Sequence, residues 1–256
     1  MKVVPIALNT FRESVRDRVL YNLILFVLML VGASLFLGEL SMSQETKIIV
    51  DMGLSAMSIF GVLIAIFIGI GLVYKEIDKR TIYSLLAKPI QRYEFILGKY
   101  FGLCFTLFVN TLLMALAVAL ALMINSGPGA MQWRIMPAAY LIFLELMVMT
   151  ALALLFSSFS SPALSALLSF CVFVIGRFSA DLKLFADTVG SGAIKALCQT
   201  LYYVLPNLAN FNHIRETASG QLASGRMLGA ATLYAVLYIT ALLSATVLIF
   251  QRRNFK

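Results

Sequence analysis

Six apolar stretches, each about as long as a helix must be to cross the hydrocarbon core of a bilayer, dominate this sequence. They fall at 21–37, 53–74, 100–124, 137–156, 162–178 and 227–250. Within them apolar residues follow one another without period-two alternation, so each predicts a membrane helix rather than a barrel strand. Composition agrees: 61% of the chain is hydrophobic and 12% charged, with a mean hydropathy of +0.93. A soluble domain carries about 25% charged residues, so half of the usual polar surface is missing. A soluble chain of 256 residues would have length enough for a core but too few charges to solvate it. The first stretch follows a charged segment and has no small-residue cleavage site behind it, so it reads as a span, not a signal peptide. The expected fold is all-α and integral to the membrane, with six transmembrane helices in one domain over 1–256.

Cations set the orientation, because they are retained on the cytoplasmic side. With the N-terminus inside, thirteen Lys and Arg fall in cytoplasmic segments: Lys2, Arg12, Arg16 and Arg18, six between Lys75 and Lys99, and Arg252, Arg253 and Lys256 at the end. Seven fall outside, Arg177 among them, although the outer segments are longer. Both termini are therefore expected in the cytoplasm. The net charge of +8 follows from this asymmetry and does not point to nucleic acid. A basic rim attracted to anionic lipid accounts for it. Cys104, Cys171 and Cys198 show no CxxC spacing and read as small packing residues.

Three segments between or beside the spans carry pattern. Residues 5–20 form an amphipathic helix too charged to cross, with Leu8, Phe11 and Val15 on one face and Asn9, Arg12, Glu13 and Arg16 on the other. It would lie at the membrane interface or act as a plain topology anchor; the feature alone does not choose. In the cytoplasmic segment 75–99, Thr81 can cap a short helix through Leu86, and Pro89 ends it. Ile82, Tyr83, Leu85 and Leu86 are apolar residues on a water-facing protrusion held between two spans. That suits a partner-docking patch, with a membrane-surface loop as the alternative. The outer segment 181–226 holds an apolar helical stripe at Ile194, Leu197, Cys198, Leu201, Val204 and Leu205, stopped by Pro206. It lies on the outer surface or dips in where other protein covers its backbone. Between spans four and five, Ser157–Ser161 followed by Pro162 predicts a tight hairpin.

Much chemistry is excluded. His213 is the single histidine, which removes bis-histidine haem, HExxH zinc sites and a Ser-His-Asp triad within the spans. No GxxxxGK[ST] phosphate loop is present, so this chain does not bind and hydrolyse ATP by that route. Gly61, Ala65 and Gly69 put small residues on one face of span two, which allows close helix approach within a subunit or between subunits. Glu145 is the one acid within a span, near mid-depth. Intramembrane carboxylates face a cavity or a polar partner, and Asn110 and Thr111 of span three are candidates. Glu145 and Asn110 thus belong either to a translocation path or to polar packing.

Several of these residues together resemble the type-2 ATP-binding-cassette (ABC) export permeases. After span two that family shows an acid, a threonine opening a short helix, a leucine-rich stretch, proline, arginine and glycine-lysine. Here these are Glu76, Thr81, Leu85, Leu86, Pro89, Arg92, Gly98 and Lys99. The family's usual glycine before the threonine is Arg80 here. Residues 9–18 resemble its elbow helix, and Leu205-Pro206-Asn207 with Phe211 resemble its segment between spans five and six. The resemblance covers essentially the whole chain. It implies a half-transporter in a bacterial cytoplasmic (inner) membrane, exporting a hydrophobic or amphipathic substrate. Two such subunits would pair as a homodimer over two copies of a separate ABC ATPase. That ATPase would hold the ATP and magnesium, and this chain would bind no cofactor or metal and have no catalytic residue. Thr81–Ala87 would be the coupling helix. The compact permeases of nitrous-oxide-reductase maturation are the most similar kind. A mechanical transmitter would use the same fold to pass ATPase motion to a periplasmic partner without moving a substrate. An ion-coupled secondary transporter would want internal repeats and several membrane charges, and here there is only Glu145.

Overall fold

The computed structural model describes residues 3–14, 25, 26, 29, 45–78, 92–126, 129, 131–179 and 192–252. Its elements in chain order are α1 (Val3–Ser14), α2 (Glu45–Asp78), α3 (Arg92–Ser126), α4 (Met131–Ser157), α5 (Pro162–Arg177), α6 (Gly192–Val204), a 3₁₀ turn at Leu208–Phe211, α7 (Ile214–Ala218) and α8 (Gly225–Arg252). The described residues contain no strand. Four of these helices, α2, α3, α4 and α8, are long and apolar enough to cross a membrane, and α5 is a shorter apolar helix. The chain is a multi-pass membrane protein. The expected first span, 21–37, lies outside the described residues apart from positions 25, 26 and 29, where Phe26 is buried edge-on to Phe60 of α2.

Three helices begin earlier than hydropathy places them. α2 starts at Glu45 rather than 53, α3 at Arg92 rather than 100, and α4 at Met131 rather than 137. Hydropathy falls where the hydrocarbon ends, whereas a helix continues outward because its backbone satisfies itself at any depth. Pro137, expected to open span four, lies inside α4. It costs the one hydrogen bond its N–H would have made to the carbonyl of Trp133.

α4 is the central helix, buried on most of its surface and packed by α2, α3, α5 and α8. Apolar character on all sides suits a helix with little lipid face. Gly61 and Gly69 of α2 let it close on α4: a Cβ at Gly61 would stand 2.7 Å from Leu146 Cδ1, and one at Gly69 would be 3.2 Å from the Ala153 Cβ. On the other side the Tyr140 and Thr232 hydroxyls meet at 2.8 Å and tie α4 to α8. The hairpin to α5 is tight, as the serines and proline predict. Ser161 is the N-cap, but its side chain makes no capping bond. The neighbouring Ser160 and Ser165 hydroxyls pair at 2.6 Å instead.

The chain around Val204–Asn207 folds in against the helix bundle. Tyr238, the fourteenth of the 28 residues of α8, donates its hydroxyl to the Val204 carbonyl at 3.0 Å. That carbonyl therefore lies against the N-terminal half of α8, not beyond its start. Irregular backbone packed against apolar helices needs every polar group paired. Leu205 N–H bonds Leu201 O, Pro206 has no N–H, and Asn207 N–H donates to the Tyr234 hydroxyl at 2.8 Å. The Asn207 side chain accepts from Ser179 Oγ at 2.6 Å. Gly176, at the end of α5, admits the descending chain: a Cβ there would meet Pro206 O at 2.7 Å.

Candidate functional site

Glu145 is the fifteenth of the 27 residues of α4 and has no exposed surface. Arg177 Nη1 donates to its Oε1 at 2.7 Å, and Ser58 Oγ donates to its Oε2 at 3.0 Å. The same arginine nitrogen reaches Ser58 Oγ at 3.3 Å. One carboxylate, one guanidinium and one hydroxyl thus join α2, α4 and α5 at a single level. That level is close to the one at which Tyr238 meets the outer segment, because Tyr140 and Thr232 hold α4 and α8 in register a few residues above. A charge this deep is tolerated when it is paired and hydrogen-bonded, and here both conditions hold. The chemistry this arrangement provides is charge compensation and the fixing of three helices.

The partner of Glu145 corrects the sequence expectation. Asn110 and Thr111 are buried on α3 but do not reach it. The Asn110 amide nitrogen lies 4.0 Å from Met114 Sδ, and neither Asn110 Oδ1 nor Thr111 Oγ1 finds a partner among the described residues. By sequence Arg177 falls with the outer loop cations, because it stands near the end of its apolar stretch. It lies within α5, 19% exposed, with its charge turned inward. Removing it from the outer set leaves six cations there and sharpens the asymmetry. An arginine before, rather than after, the end of an apolar run, with an unexplained acid in the adjacent span, was the available signal.

α1 packs on the first turns of α3. A Cβ at Gly98 would stand 2.7 Å from Ile6 Cβ, and one at Gly102 would be 2.6 Å from the Ala7 carbonyl and from Thr10 Cβ. Only glycine at both positions lets the helices touch backbone to side chain. Phe11 meets Phe105 edge-on at 4.6 Å, and Glu13 Oε2 lies 4.0 Å from Lys99 Nζ. The protein-facing residues of α1 include Thr10 and Ser14, while Leu8 and Arg12 are exposed. Of the apolar face read from sequence, Phe11 packs on Phe105, Leu8 stays exposed, and Val15 lies outside the described residues. Arg16 lies outside the described residues. So do Thr81, Ile82, Tyr83, Leu85, Leu86 and Pro89; Glu76 falls in the last turns of α2, and Arg92 opens α3. Cys171 is exposed on α5, whereas Cys104 and Cys198 are buried. Gly61, Ala65 and Gly69 occupy the α2 face turned to α4 in the same subunit, with Ala65 2% exposed.

A comparison with curated proteins returned no match. A family model described as "ABC-2 family transporter protein" matches residues 4–255, nearly the entire chain. That family consists of membrane transport subunits which normally work with an ABC ATPase. Helices long enough to span, an amphipathic helix docked at the base of α3 and a match over this length have one conclusion: the chain belongs to the ABC-2 transporter family.

Proposed function

We propose that this chain is the permease half of an ATP-driven exporter for a hydrophobic or amphipathic substrate. It works as a homodimer in a bacterial inner membrane, with both termini cytoplasmic. Two copies of a separate ATPase bind ATP and magnesium beneath it. The family match over 4–255 carries the reading. Supporting it, α1 docks within about two turns of Arg92, at the same end of the bundle as the 79–91 connection between α2 and α3. Amphipathic helix and connection together would form the surface that receives the ATPase. Closure of the ATPase pair would push on Thr81–Ala87, and α2 and α3 would carry that movement to α4, which both of them pack against.

Purification in mild detergent, with every retained chain identified, tests this. An ABC ATPase in equal number to the permease is expected. Recovery of the permease with no ATPase, under conditions that keep it dimeric, would overturn the proposal. A stoichiometric periplasmic protein in the complex would favour force transmission over export. Orientation has its own check. Single cysteines at Lys88 and Gln221, in a background without native cysteines, should react with impermeant maleimide from opposite faces of sealed vesicles. Labelling from one face would sink the six-span arrangement.

A further inference from the structure

We infer that a cavity between α3 and α4 is a binding site for a compact apolar alcohol, of the size of benzyl alcohol, taken up from the membrane. The site is independent of the transport reading, so either can fail while the other stands.

The cavity has a volume of about 160 Å³. α3 supplies Phe108, Thr111 and Ala115 to its walls, and α4 supplies Met136, Tyr140 and Phe143. Its floor is buried and its mouth is not. Thr111 and Ala115 are 5% and 1% exposed, whereas Phe108 and Tyr140 are 47% and 39% exposed. The Phe108 and Phe143 rings stand edge-on, 5.6 Å between centroids. An apolar cavity of roughly 150 Å³ in a soluble protein stays dry and takes up benzene, so one ring with a short substituent fits here. Phe108 and Tyr140 belong to helices long and apolar enough to span, so the mouth opens on hydrocarbon and admits solutes that dissolve in it.

Thr111 sets the chemistry of the occupant. Thr106, Thr150, Thr232, Thr240 and Thr246 each donate to the carbonyl four residues back, at 2.7 to 3.0 Å. Thr111 stands in continuous helix too, yet its hydroxyl finds no partner among the described residues. Thr10, also unpaired, is instead pressed onto Gly102. A buried hydroxyl left without a bond is costly, and a ligand oxygen at the cavity floor would relieve it. The other polar atom on the walls is the Tyr140 oxygen. Thr232 gives its proton to Leu228 O at 2.7 Å, so in its 2.8 Å pair with Tyr140 the tyrosine is the donor. That proton is spent, but the Tyr140 oxygen can still accept. The walls thus offer one donor and one acceptor amid carbon, which suits a single ligand hydroxyl. A solute with more polar groups would leave them unpaired, and an acyl chain would leave Thr111 unpaired.

Fluorine NMR of the full chain in lipid nanodiscs tests the site, with para-fluorobenzyl alcohol and para-fluorotoluene as probes. Thr111→Val removes the hydroxyl at nearly constant size, and partition of each probe into the lipid is the same for both proteins. The alcohol should bind wild type about tenfold more tightly than Thr111→Val, the worth of one hydrogen bond near the top of its usual range. The fluorotoluene, which has no hydroxyl, should bind the two proteins alike. Ala115→Leu should fill the floor and abolish saturable binding of both probes. If that variant does not fold, the alcohol's preference for wild type over Thr111→Val still decides. Equal affinity of the alcohol for those two proteins would overturn the proposal. So would the absence of saturable binding to wild type, since a lipid chain or a second copy of the protein would then occupy the cavity.

Discussion

Arg177→Met is expected to remove about 3–5 kcal/mol of stability, the cost of stranding a buried partner charge. The charge stranded is Glu145, which has no exposed surface and would keep only the Ser58 hydroxyl as a donor. For a chain of this size the melting temperature in detergent should fall by about 10 °C or more. Glu145→Gln should cost much less. Its amide oxygen still accepts from Arg177, whose side chain is 19% exposed and so is not stranded as Glu145 would be. The double variant Arg177→Met/Glu145→Gln should recover most of the loss, because no unpaired charge remains. Thermal unfolding of the four proteins, followed by loss of monodisperse material, reads all of this. A single Arg177→Met protein melting within about 2 °C of wild type would show that the pair is not desolvated.

The second large effect concerns partner binding. Replacing Tyr83 and Leu86 together with Asp should weaken ATPase association on the order of a hundredfold or more, since an unpaired charge in a desolvated contact costs at least a few kcal/mol. The spans should still insert, because the lesion lies in the connection between α2 and α3. Retained permease in the membrane fraction with ATPase lost from the pull-down is the expected pattern. Ser219→Asp with Ser224→Asp is the matched control. Both serines are exposed on the other side of the bundle. Ser224 Oγ also accepts from Met227 N–H at the start of α8, a capping role that aspartate fills equally well. A Tyr83/Leu86 double variant that keeps its ATPase and its coupled turnover would dismiss Thr81–Ala87 as the docking element.

Hydropathy located the helices and misjudged their ends, for a reason that applies to each. Glu45, Lys47 and Asp51 are polar but sit in continuous helix above the apolar run of α2. The apolar stretch records where hydrocarbon is, and the backbone records where hydrogen bonding stops. The depth of the outer segment was left open because amphipathic patterning reports that a face is apolar, not what covers it. Contacts from distant parts of the chain, Tyr234 and Tyr238 on one side and Gly176 and Ser179 on the other, hold Val204–Asn207 against the bundle. Glu145 stood out as an acid among apolar residues. Its partner did not, since pairing between Ser58, Glu145 and Arg177 is set by how three separated helices assemble. The glycines of α2 were legible as a packing face because their spacing repeats along one helix. Gly98 and Gly102 were not singled out for packing, because what presses on them comes from the other end of a long stretch of sequence.

That separation has a consequence in time. α1 is finished once Ser14 is made, yet the surface it rests on is not complete until Phe105. At synthesis rates of about 5–20 residues per second the wait is roughly 5 to 20 s. Throughout it α1 lacks the α3 surface on which it rests in the finished fold. Leu8, exposed in the finished fold, and Phe11, later claimed by Phe105, together give it something to hold the lipid surface with meanwhile. Docking of α1 therefore waits for α3 and can be finished while the helices from Met131 onward are still being made.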